Sequence, residues 1–143
     1  LWFTDNGRDW MGDDQPPDEL NTAPEAGLHF GFPFCHGRDI QDPPTHPEFR
    51  DAARHWTPVI SPSGMVFYQG EMFPEWKNNA LIGGLTHHEL VRLTFDGTEV
   101  TDEDRLDLPA RIRDVETSSD GSIYLLTDQD DGKVLRISAV PKK

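Results

Sequence analysis

One cysteine, Cys35, stands in the whole chain, so no internal disulfide can staple it. The stretch FCHG around it lacks the second cysteine that a haem-attachment motif needs. No run of 18 apolar residues occurs, which leaves out a membrane-spanning helix, and no secretory signal pattern is legible. Basic residues are scarce: 13 Lys and Arg stand against 26 Asp and Glu, for a net charge of −13. Such a surface repels phosphate, so nucleic acid and anionic membrane are poor partners, whereas neutral small molecules and cations such as Ca²⁺ remain open. Apolar residues make up 35%, and mean hydropathy is −0.64. That is low for a self-sufficient core, though above a disordered chain. No strong amphipathic helix is legible.

What is abundant is turn chemistry and aromatic anchoring, with 12 Gly, 12 Pro and 4 Trp in 143 residues, enough for one ordinary domain. The opening LWFTDNG has no Met and is already an apolar strand. A strand edge needs cover. The expectation is a piece of a longer protein, whose remainder or a symmetry mate covers the open edges.

Residues 1–5 read as a strand. From there to about residue 58 the chain is dominated by Gly, Pro, Asp and Asn and reads as long loops, with one or two helical turns in PEFRDAARHW. From residue 59 the character changes to a meander. TPVISPSGMVFYQG reads as strand, turn at Ser61–Gly64, strand. NALIGGL and HELVRLTFDG follow, then ARIRDVETS, SIYLLTD and KVLRIS, for about eight strands of ordinary length. LWFTDNG and IYLLTDQDDG share a pattern, as do SPSGMVFYQG and SSDGSIYLLT. A weak repeat of short strands suggests β-propeller blades, with a β-sandwich as the alternative. The fold class is therefore all-β.

Four constellations could carry chemistry. The loop TDNGRDWMGDDQPPDELN is rich in hard oxygen donors that suit Ca²⁺, though its spacing is not that of an EF-hand and a solvated acidic loop is the plainer alternative. GLHFGFPFCHG alternates glycines with aromatics, which lets backbone approach an ion or ring, or builds a buried aromatic corner. His87 and His88 are adjacent; on a strand they would face opposite sides and could not chelate one metal together. Arg111 and Arg113, two apart, would share one strand face with Asp114 opposite beside Ile112, and Asp128 ends the next strand. Paired guanidiniums match a ligand with several carboxylates, or else balance an acidic surface.

Three blocks in order, WFTDNGRD…DELN…GLHFGFP, SGMVFYQGEMFPEWKNNALIGGL and RIRDVETSSDGSIYLLTDQDDGKVLRI, resemble the C-terminal part of the quinoprotein glucose/sorbosone dehydrogenases. They cover most of the chain outside residues 38–58. The resemblance implies the last two to three blades of a six-bladed β-propeller, with a long Gly/Pro/Asp-rich loop region. It also implies pyrroloquinoline quinone (PQQ) beside Ca²⁺ as cofactors, a small sugar as substrate, an external electron acceptor and a periplasmic or extracellular location. The catalytic histidine, and an Arg-Asn pair that grips PQQ, belong to earlier blades, so no catalytic residue is expected in this chain.

Residue by residue, Gly7 and Arg8 match a Gly-Pro pair whose carbonyls hold the cofactor-side Ca²⁺, with Arg8 in place of proline. Glu19 in DELN matches an acid of a Ca²⁺ site found in some members, with the carbonyl of Phe30 as its partner; the loop between is one residue longer here. Leu85, Thr86 and His87 match a PQQ-contacting turn in which a lysine is common at the position of Thr86. Arg111 and Arg113 match paired arginines that face PQQ, and Asp128 an acid near it. The implied mechanism passes hydride from the sugar's anomeric carbon to the quinone while the upstream histidine takes the hydroxyl proton. The competing expectation is a non-catalytic Ca²⁺-binding propeller that holds a carbohydrate or a protein. A propeller lactonase would need Ca²⁺-ligating Asn and Asp around the channel, and no such set is legible.

Overall fold

The computed structural model describes residues 1–7, 18–31 and 49–140. These form ten strands, and among the described residues the helical structure is a single 3-10 turn at Pro74–Trp76. All strand pairs with a defined register are antiparallel. The chain divides into two compact units, Leu1–Pro62 and Ser63–Lys143.

In the first unit, β1 (Trp2–Asp5), β2 (Asp18–Thr22) and β3 (Arg54–Trp56) form one sheet in that order. Leu20, Trp56 and Ile60 are fully buried and make its apolar centre. The expected long loop is thus broken by β2 and β3. The expected helical turn in PEFRDAARHW is absent among its described residues, because Ala53 N–H donates to Leu20 O (2.8 Å) and draws Arg54–Trp56 into the sheet.

In the second unit, β4 (Pro62–Phe67), β5 (Ala80–Gly84), β6 (Glu89–Asp96) and β7 (Glu99–Asp107) form a four-stranded meander. β8 (Ile112–Thr117), β9 (Ile123–Thr127) and β10 (Val134–Ile137) form a second sheet. ALIGG of β5 is buried throughout, as a continuous apolar run in a central strand should be. β7 was not expected, because its EVTDEDRLD carries little apolar signal. It is an edge strand whose charges discourage further pairing. The expected turn at Ser61–Gly64 is also displaced: Ser61 takes a left-handed φ of 49°, and Ser63 and Gly64 lie inside β4. The TPVI run ahead of it is not a strand.

The core of this unit gathers Tyr68, Leu81, Leu90, Ile112, Val115, Ile123 and Leu125 from both sheets. Tyr68 ties them polarly as well. Its buried hydroxyl donates to Gly121 O (2.6 Å) and accepts from Phe73 N–H (3.2 Å). The turn before β9 is closed by Asp120, which accepts from Ser122 Oγ (2.5 Å), Ser122 N–H (2.9 Å) and Arg136 Nη2 (2.8 Å). The serine hydrogen bonds first, and then the arginine charge, hold its carboxyl at about 2 instead of 3.8. A depressed carboxylate stabilises fully above 3.8, and its contribution fades as pH falls toward about 2. Asp120→Asn should therefore flatten the acid limb of a urea-unfolding series in that window. Parallel wild-type and variant curves there would rule this out.

Candidate functional site

The site grows from β8. A strictly alternating strand cannot bury both Ile112 and Val115, which are three residues apart. The β8–β9 register slips between Ile112 and Asp114: Ile112 faces Thr127, yet Asp114 faces Leu126. This β-bulge leaves Ile112 and Val115 both buried, with Arg111, Arg113 and Asp114 exposed. The expectation that Asp114 shares a side with Ile112 is thereby corrected. The expectation that both arginines lie close to Asp128 holds.

Arg111 Nη2 approaches Asp128 Oδ2 at 2.9 Å, and Arg113 reaches the same carboxylate through Nη2 (3.2 Å) and Nε (3.3 Å). The backbone fixes the acid too, since Asp128 N–H donates to Arg111 O (2.9 Å). One carboxylate thus steadies two guanidiniums, leaving a surplus of one positive charge. A guanidinium has five N–H donors, and these contacts use only part of the set, so donors remain for an anionic ligand.

Leu85, Thr86 and His87 lie in the turn joining β5 to β6, with Leu85 and Thr86 half-buried and His87 exposed. His88 closes it at φ 55°, and its carbonyl accepts from Leu108 N–H (2.8 Å). The two histidines therefore sit in a turn rather than on a strand. Just before the turn, Gly83 abuts Ile112: a Cβ on Gly83 would lie 2.8 Å from the Ile112 side chain.

The second group belongs to the first unit. Asp18 and Glu19 alternate sides of β2. Asp18 is buried and accepts three backbone N–H groups, from Gly7 (2.8 Å), Ile60 (2.9 Å) and Ser61 (2.6 Å). Glu19 shares its face with Asn21, whose Nδ2 donates to it (3.1 Å), and His55 Nδ1 approaches at 3.6 Å. Burial pushes the Glu19 carboxyl above its ordinary range, and the charges of Asp5, Asp51 and Asp18 add to the rise, against the Asn21 hydrogen bond. Asn21 Oδ1 is buried without a hydrogen-bond partner. The Phe30 ring meets Phe3 edge-on at 5.0 Å, and Phe3 lies opposite Asn21 in the sheet. Arg8 lies outside the described residues. Among the described residues no group of three or more His, Cys, Asp and Glu gathers, so a cation here would rely on carbonyl and amide oxygens beside Glu19. Asp18 is one of the acids of the loop read as hard oxygen donors, but its carboxylate is taken up by backbone N–H groups; Asn21 is not legible as a site residue, and the signal available is the two-residue alternation of DELNT.

The glucose/sorbosone dehydrogenase family profile matches residues 1–136. The aldose sugar dehydrogenase YliI of Escherichia coli K12 is 30% identical over 141 residues, spanning 90% of this chain and 38% of that protein. A solved glucose dehydrogenase superposes with a TM-score of 0.82 at 36% identity, over 98% of this chain and 40% of its own. The PQQ-bound aldose sugar dehydrogenase of Streptomyces coelicolor shares the fold, with a TM-score of 0.73 at 22% identity over 96% of this chain and 39% of its own. The sheets are thus blades of a β-propeller, and the chain spans about two fifths of the length of these proteins.

Proposed function

Because the chain belongs to the glucose/sorbosone dehydrogenase family, we propose that the whole protein of which it forms part oxidises an aldose or sorbosone-like sugar with PQQ and Ca²⁺. The observation that carries this reading is the convergence of Arg111 and Arg113 on Asp128. PQQ, when bound, supplies a quinone that accepts hydride and three carboxylates that need cations. Arg111 and Arg113 fit that demand, since both keep donors beyond those given to Asp128. Their charge neutralises the carboxylates and favours the added negative charge of the reduced cofactor. Asp128 orients the pair, and the turn Leu85–His87, which follows Gly83 packed on Ile112, would add a further contact to the cofactor. The base that takes the sugar's hydroxyl proton would come from the rest of the protein, which would work in the periplasm or outside the cell and deliver electrons to an external acceptor. Equilibrium binding of PQQ to the full-length protein tests the reading: saturable one-to-one binding supports it, and no binding with Ca²⁺ present sinks it.

Calcium is proposed at Glu19 with carbonyls such as those of Gly7 and Phe30. The support is the orphaned Asn21 Oδ1 beside a half-buried acid raised first by burial and then by its acidic neighbours. A divalent cation would offset both costs. Glu19→Gln in the full-length protein should weaken Ca²⁺ by about tenfold or more in a calorimetric titration. An unchanged affinity would return this loop to the class of solvated acids.

A second reading, a non-catalytic Ca²⁺-binding propeller that holds a carbohydrate or a protein, draws on Thr86 standing where a lysine is common. Ca²⁺ binding without PQQ binding would favour it.

A further inference from the structure

We propose that Ser63 and Gly64 of β4 are positioning residues that set the aim of Arg113 by holding the β8 bulge open. The inference rests on the reading of Arg111 and Arg113 as the groups that face the anionic cofactor.

The bulge is what makes that pair possible. In a regular strand, Arg111, Arg113 and Val115 would share one face, and Ile112, Asp114 and Glu116 the other. Burying Ile112 would then drag two carboxylates into the core. Burying Val115 would drag in two guanidiniums. The slip between Ile112 and Asp114 removes the conflict, and both apolar residues are buried while both arginines reach Asp128.

Two features of β4 hold the slip in place. β8 is an edge strand of its sheet and β4 an edge strand of the other. Arg111 O turns toward β9, where it accepts from Asp128 N–H. The next carbonyl, Ile112 O, turns the other way, and Ser63 Oγ donates to it at 2.6 Å. The same hydroxyl lies 3.0 Å from Gly83 O, so Ser63 stands between β5 and β8 at the first residue of the slip. At its far end, Asp114 crowds β4 at Gly64. A Cβ on Gly64 would lie 2.7 Å from Asp114 Cα and closer still to its carboxylate. Gly64 therefore has to be glycine for contact reasons alone, without any unusual φ. Asp114 also closes the slip from within, as its Oδ1 accepts from Val115 N–H (2.9 Å).

The test uses the full-length protein. Ser63→Ala removes the donor, Ser63→Thr keeps it, and Ser63→Cys fills the site with a weaker donor should the alanine variant fail to fold. The first readout needs no cofactor: the Arg113 Nε–H resonance in arginine-labelled protein. It should shift in Ser63→Ala and return in Ser63→Thr. The second is PQQ titration, where Ser63→Ala should weaken affinity by about 3- to 10-fold. In an Arg113→Ala background the same change should have almost no further effect, because Ser63 acts through Arg113. An unmoved resonance overturns the proposal, as does an equal loss of affinity with and without Arg113. If the protein binds no PQQ at all, the cofactor reading fails, and the resonance alone still decides whether Ser63 aims Arg113.

Discussion

Asp18→Ala is expected to destabilise the Leu1–Pro62 unit by about 3 kcal/mol or more. Three backbone N–H groups, of Gly7, Ile60 and Ser61, all end on its carboxylate. Alanine offers no acceptor; the Ile60 donor is buried and those of Gly7 and Ser61 are partly buried, and an orphaned buried donor costs about 1–3 kcal/mol. Part of that loss is offset. Burial, ahead of the hydrogen bonds that oppose it, raises the Asp18 carboxyl above its ordinary range, so the wild type already carries a desolvation cost that alanine removes. Three donors outweigh that relief. Asp18→Asn should fall between, since it keeps one acceptor oxygen but turns an amide NH₂ toward a donor. Denaturant unfolding of the full-length protein, followed by tryptophan fluorescence, reads the effect. A loss below about 1 kcal/mol for the alanine variant would mean that water or a shifted loop replaces the carboxylate.

Arg113→Ala should weaken PQQ binding by roughly one to two decades. Hydrogen bonds to charged groups are worth about 1.5–3 kcal/mol, and 1.4 kcal/mol is about tenfold. The melting curve should barely move, because the Arg113 side chain is 55% exposed and exposed ion pairs contribute about 0–1 kcal/mol. Arg113→Lys should recover part of the affinity, as it restores charge without the planar fork. If the pair only balances the acidic surface, neither affinity nor stability should change by more than about 0.5 kcal/mol.

The strands with apolar runs were legible from sequence. ALIGG, ELVRLTF and SIYLLT each carry the burial they display, and Asp96-Gly97 closes its hairpin as expected. β7 was hidden because an edge strand is selected for charge, so its composition mimics a loop. β2 was hidden because Asp18, Glu19 and Asn21 are placed by hydrogen bonds and not by apolar pattern. The arginine pair and its acid were legible, but the bulge was not. Period-two reasoning left Ile112 and Val115 in conflict, and only contacts with Ser63 and Gly64, distant in sequence, resolve it. From composition, the cation site proposed at Glu19 was legible only as an acidic loop; the buried Asn21 Oδ1 beside Glu19 is a property of the folded sheet.

We propose that this chain helps a sugar dehydrogenase hold PQQ through Arg111 and Arg113. The most direct test of this claim is sugar-dependent dye reduction by the cofactor-free full-length protein as PQQ is added at fixed Ca²⁺. The claim predicts no turnover before addition, a saturable rise with PQQ, and a saturation curve displaced to roughly 10- to 100-fold higher PQQ in Arg113→Ala. Turnover without PQQ, or superimposable curves for wild type and variant, would contradict it.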